Sequence, residues 1–289
     1  MPRFGSRPRT GTYVSGWMPY NGPIALTGGS ISPTIVGSYT YLIFTSTGNL
    51  SIAAGPSLAT FQVCAIGGGG GASFGGGGGG AIEYWDNITV SPVATPTILI
   101  TIGSGGTATD AQSDGGNGGD TTVGAFVTAK GGGGGGGFNA AGKAGGSGGG
   151  GGWGTYTAGA ANGSNTNVGG TGGLYEGSRG GGATQTGNAG GQGLLLTTID
   201  SNLTSGNFAA FSGMTYVSSG GGYGGYLGYG GSYDGGDGGT NAGTNAAGYT
   251  VGTNAVSYGS GGAGGDRQSG GDPWASSGTG KSGLVIVRW

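Results

Sequence analysis

Few residues in this chain could do covalent chemistry. It has no histidine and one cysteine, Cys64. Without an imidazole, neither a Ser-His-Asp nor a Cys-His arrangement can be assembled. Cys64 lies in the apolar run Phe61-Gln62-Val63-Cys64-Ala65-Ile66, which suits a buried, inert thiol. A single cysteine also excludes a disulfide within the chain. Glu83 and Asp86 have the residue types of a glycosidase pair, but they fall in a strand-like run beside Trp85. Cys64 and scattered carboxylates are a poor zinc donor set. Asp114-Gly115-Gly116-Asn117-Gly118-Gly119-Asp120 resembles a calcium-binding repeat, yet no nine-residue repeat continues from it. The phosphate-loop pattern Gly-x-x-x-x-Gly-Lys-Ser/Thr does not appear, so the glycines do not read as a phosphate loop. The expectation is a protein that is not an enzyme and uses no cofactor and no metal.

Glycine is the unusual chemistry here. It supplies 85 of 289 residues, roughly four times ordinary usage. Charged residues are 7 % and hydrophobic ones 34 %. Disordered chains pair few apolar residues with many charges, so this balance argues for order. Within the glycine blocks, other side chains recur every third place. Tyr223, Tyr226 and Tyr229 are spaced this way, followed by Asp234, Asp237 and Thr240. Asp114, Asn117 and Asp120 do the same, as do Ala144, Ser147, Gly150 and Trp153. Three residues per turn is the period of a polyproline-II-type helix, which makes no internal hydrogen bonds. Its backbone must therefore bond to neighbours that approach closely, and only glycine leaves room for that. The spacing predicts polyglycine-II rods packed side by side, with each third residue forming an outward stripe. Collagen is excluded, because the period is kept by the non-glycine residues and the blocks lack proline.

The elements that must hold such rods are strands. Residues 1–37 contain five of the nine prolines and no periodic pattern, and read as an extended arm. From 38 to 289 β-branched and aromatic runs alternate with glycine blocks, as in "LATFQVCAI", "AIEYWDNITV", "PTILITIG", "TTVGAFVTAK" and "SGLVIVRW". Thr47-Gly48-Asn49 sits between two such runs like a hairpin turn. The fold class is mainly β, an antiparallel sheet or sandwich base carrying packed polyglycine-II helices. Little or no α-helix is expected, and "GLLLTTIDSNLTSG" could hold one turn.

Charge is uneven. Arg3, Arg7 and Arg9 precede any acid, and the remainder holds six bases against eleven acids. That leaves no basic face for nucleic acid. No apolar run nears the ~18 residues of a membrane helix, so no membrane insertion is expected. The first residues lack the apolar core of a secretory signal, which suggests synthesis in a cytoplasm.

"FQVCAIGGGGG", "ILITIGSGG", "GGNGGDTTVGAFVTAKGGGGGGG" and "GKSGLVIVRW" resemble the glycine-rich domain of tailed-bacteriophage virion proteins, over about residues 38–289. The resemblance implies a virion surface protein of the fibre or adhesin type. Its arm (Arg3, Arg7, Arg9, Trp17) would join other virion proteins. Loops carrying Phe138, Trp153, Tyr156, Tyr175, Tyr223, Tyr226, Tyr229 and Tyr233 would meet a host glycan or outer-membrane protein. Such proteins are often homo-oligomers, trimers among them, although no coiled coil demands it here. A capsid decoration or head-fibre protein shares the same fold. From another class, an ice-binding polyglycine-II protein would need a flat Thr/Ala face, and the mixed third residues count against it.

Overall fold

In the computed structural model, the residues described are 25–54, 58–92, 94–110, 112–154, 156–169, 177–184, 191–223, 226–227, 251–265, 267–268 and 275–289. The strands are β1 (Ala25–Thr27), β2 (Ile31–Val36), β3 (Tyr39–Phe44), β4 (Gly48–Ala54), β5 (Ala59–Ile66), β6 (Ile82–Val90), β7 (Thr97–Thr101), β8 (Thr121–Val123) and β9 (Val127–Ala129). Then follow β10 (Leu194–Leu195), one helical turn α1 (Leu196–Ile199), a 3-10 turn (Ala209–Phe211), β11 (Tyr216–Val217), β12 (Tyr226–Leu227), β13 (Arg267–Gln268) and β14 (Leu284–Arg288).

Two five-stranded sheets form, in the orders β1-β4-β7-β8-β9 and β2-β3-β14-β5-β6. All pairings within them are antiparallel. Their inner faces share one core, with Leu42, Phe44, Phe61, Val63, Val285 and Val287 meeting Leu50, Ile52, Ile98, Ile100 and Val123. The second sheet is buried on its other face too. Tyr41, Ile43, Cys64, Ile66, Leu284 and Ile286 pack there under Leu196, Ile199, Leu203, Phe208 and Phe211. Residues 194–217 thus make a third layer. Burial on both faces explains why β14 reads as an unbroken apolar run.

Two expectations need correction. Thr47-Gly48-Asn49 does not turn a hairpin: β3 belongs to the second sheet and β4 to the first, so the chain crosses between layers. Strand structure also begins inside the stretch read as an arm, with β1 and β2 between residues 25 and 36. The one helical turn that "GLLLTTIDSNLTSG" (193–206) could hold is present as α1.

A polar clasp holds the third layer. The Arg288 guanidinium lies 3.6 Å from the Trp85 ring centre and 4.6 Å from that of Tyr39. It pairs with Asp200, which also accepts from Tyr41 Oη at 2.6 Å. Trp85 Nε1 donates to the Ile199 carbonyl at 2.7 Å. Trp85 can do so because it is the bulged residue of β6, held at φ 58° where the register shifts between Val63 and Cys64. Burial pushes the Asp200 carboxyl up, but its bonds from Tyr41, the Asn202 N–H and Arg288 outweigh that and hold it below the usual range.

Candidate functional site

The glycine blocks leave the strands at one end of the sandwich. Rod 1 (67–72) continues β5 and rod 2 (75–81) returns to β6. Rod 3 (103–109) follows β7, and rod 4 (114–120) returns to β8. Rod 5 (131–137) follows β9. Rod 1 rises about 19 Å over its six residues at the polyproline-II pitch.

The hydrogen bonds have a period of three. In rod 1, the N–H groups of Gly67 and Gly70 donate to Ala81 and Gly78 of rod 2. Those of Gly68 and Gly71 donate to Gly119 and Gly116 of rod 4. Those of Gly69 and Ala72 donate to Lys281 and Gly278. These six bonds measure 2.8 to 3.0 Å. The carbonyls of Gly68, Gly69 and Gly70 accept from Gly132, Gly106 and Gly262. Rod 1 therefore bonds to six neighbours. Rod 2 does the same, donating to residues 130–136, 178–181 and 259–262 and accepting from Gly70, Ser147, Gly150 and Gly221. At Gly80 the acceptor is met by the Ser218 hydroxyl instead of a backbone N–H. This is the packed rod lattice that the spacing predicts. A Cβ on Gly77 would stand 2.1 Å from the Gly70 oxygen, which is why the blocks admit almost nothing but glycine.

The every-third side chains do something the sequence did not reveal. Asp114, Asn117 and Asp120 line the rim of rod 4, with Asn117 and Asp120 exposed, but their side chains do not simply face solvent. Their side-chain oxygens accept from the N–H groups of Gly137, Gly134 and Gly131 at 3.0, 2.9 and 2.9 Å. They complete rod 5 on a side where, among the described residues, no backbone carbonyl accepts these N–H groups. Asp120 also pairs with Lys130 at 2.7 Å. Burial raises the Asp120 carboxyl, but the Lys130 and Gly131 bonds and the lysine charge prevail and hold it below the usual range. The only signal available beforehand was that these positions carry acceptors and no donor-only side chains.

The turns at the far ends of the rods pack together. Ser277 Oγ donates to the Ser73 carbonyl at 2.8 Å, and Ser73 Oγ donates to that of Ser113 at 2.5 Å. Phe74, buried in the turn from rod 1 to rod 2, meets Phe138 edge-on at 6.1 Å. Phe138 stacks on Trp153 at 4.5 Å with planes 7° apart. So the structure brings Phe138 and Trp153 together as a seal over the lattice end, both half-buried, while Tyr156 beside them is 39 % exposed. Tyr223 lies elsewhere, under the Arg179 guanidinium at 5.3 Å. Tyr226 falls in β12, which pairs with β13. Tyr175, Tyr229, Tyr233, Arg3, Arg7, Arg9 and Trp17 lie outside the described residues.

Cys64 is fully buried between strands, and burial drives its thiol far up. Glu83 and Asp86 stand on β6, on opposite sides of the bulge. Among the described residues, no group of three or more His, Cys, Asp or Glu side chains could hold a metal ion, and no helix is long and apolar enough to cross a membrane. A family model described as a glycine-rich domain matches residues 45–289. No curated protein matches the chain.

Proposed function

Because the chain belongs to the glycine-rich domain family, we propose that it is a structural surface protein of a tailed-bacteriophage virion, of the fibre or adhesin type. It attaches through its N-terminal residues and offers the far ends of its rods to a host surface. The observation that carries this reading is the polarity of the fold. Ala25 pairs with Ala54, and Trp289 with Thr40, at the end of the sandwich opposite the rods. The rod turns, with Phe138, Trp153 and Tyr156, stand at the other end. A rigid lattice with few charges separates the two. Aromatic side chains with a polar handle are suited to binding sugars and proteins, so a host glycan or outer-membrane protein is the natural partner class.

Electron cryo-microscopy of the native particle tests this. A few copies at a tail or fibre tip, with the rods pointing outward, are expected. Many copies spread over the head would replace the adhesin reading with capsid decoration. Removing residues 1–24 should leave a folded body that no longer joins particles. Normal incorporation would refute the attachment role of that segment.

A further inference from the structure

The interior rods show what a rod needs: six directions, alternately donating and accepting, each met by a neighbour. Among the described residues, rod 3 is met on three. Its Gly106 and Thr109 N–H groups donate to rod 1, its Gly106 carbonyl accepts from Gly280, and its Ser104 and Thr107 carbonyls accept from rod 4. The N–H groups of Ser104 and Thr107 have no protein partner among the described residues. Neither do the backbone carbonyls of Asp114 and Asn117 on rod 4. In the six-fold order that rod 1 displays, these two donors and two acceptors fall on the shared outer side of rods 3 and 4, facing away from rod 1. They line one groove, in two rows with a three-residue repeat. Ser104, Thr107 and Asn117 are exposed there.

The geometry points to this groove as a docking site for an extended glycine-rich segment from outside the domain, held in the same three-residue helix. Such a segment carries N–H and C=O groups in alternating rows, so it accepts from Ser104 and Thr107 and donates to Asp114 and Asn117. A β-strand or α-helix cannot match the repeat, because their periods are 2 and 3.6. Side chains on the contacting face are excluded for the reason that operates inside the lattice: a Cβ would meet a carbonyl. This is the rod counterpart of adding a strand to an open sheet edge. The contact differs from the far-end aromatic site and does not depend on it.

The probe is an acetylated, amidated peptide of four Gly-Gly-Asn repeats, titrated into the full chain while amide exchange is followed. Exchange at Ser104 and Thr107 should slow at least tenfold, with no change at the solvent-facing amides of β7. The variants S104P and T107P remove those N–H groups while keeping a φ that suits the rod. They should melt as the unaltered chain does and lose the peptide effect. Unchanged exchange at saturating peptide, or equal protection in the proline variants, overturns the proposal. So does unfolding of either variant, because it would mean that the N–H groups are engaged within the domain.

Discussion

Replacing Gly135 by alanine tests the lattice at a crowded point between two rods. A Cβ at Gly135 would stand 1.9 Å from the Gly75 oxygen and 2.5 Å from the Gly75 carbon. Ordinary contact begins near 3.4 Å, so rod 2 must retreat locally by about 1.5 Å. The bond from Gly75 N–H to Gly136, now 2.9 Å, would open beyond hydrogen-bonding range, and the neighbouring bond from Gly78 to Gly133 would weaken. Buried groups left without partners cost about 1–3 kcal/mol each, so the loss is about 2–6 kcal/mol. Alanine restricts the unfolded chain, which offsets about 0.4–1 kcal/mol. The expected net destabilisation is therefore roughly 2–5 kcal/mol, a large share of the ~5–15 kcal/mol that holds a typical domain folded. Urea unfolding followed by tryptophan fluorescence measures it. The control is Gly206→Ala, where a Cβ would meet only Thr204 Oγ1 at 3.8 Å. That variant should be neutral or stabilised by up to about 1 kcal/mol. If Gly135→Ala lies within about 0.5 kcal/mol of the unaltered chain, the close-approach argument fails. If both variants are destabilised alike, the cost belongs to glycine replacement in general and not to the lattice.

Asn117→Leu should cost about 1–3 kcal/mol, because the Gly134 N–H loses its acceptor, and faster exchange of that amide would report it directly. Arg288→Ala leaves the buried Asp200 carboxylate without its cation, and about 3–5 kcal/mol of lost stability is expected by the same unfolding assay. Asp200 and Asp120 both titrate below the unfolded value when folded, so their contribution is complete above the unfolded carboxylate pKa near ~4 and is lost as pH falls through the folded values below it. Stability should be level from neutral pH down to about 5 and drop at lower pH; a drop on the alkaline side of that point would contradict the assignment. Cys64 should resist thiol reagents in the native protein and react only at the rate of unfolding.

Some of this protein was legible from residue order alone. A three-residue period filled with glycine admits one backbone solution, because only that helix brings every third residue into line and only glycine lets such helices touch. The strands were legible for a similar local reason, since β-branched and aromatic runs fit a pleated surface. The loss of imidazole chemistry followed from composition.

Pairing was decided elsewhere. The runs on either side of Thr47-Gly48-Asn49 look like hairpin arms, yet β3 bonds to β14, which lies some 240 residues later. No local pattern names a partner at that distance; burial of both faces of β14 selects it. The same holds for Asp114, Asn117 and Asp120. Their spacing marks a rod, but their role as acceptors for rod 5 exists because, among the described residues, no backbone neighbour lies on that side. Phe138 and Trp153 are fifteen residues apart and stack because two rods end at the same height. Residue order determined which helices and strands this chain can form. The three-dimensional packing decided which of their hydrogen-bonding directions meet backbone, which meet side chains and which stay open, because that depends on how many neighbours each rod acquires.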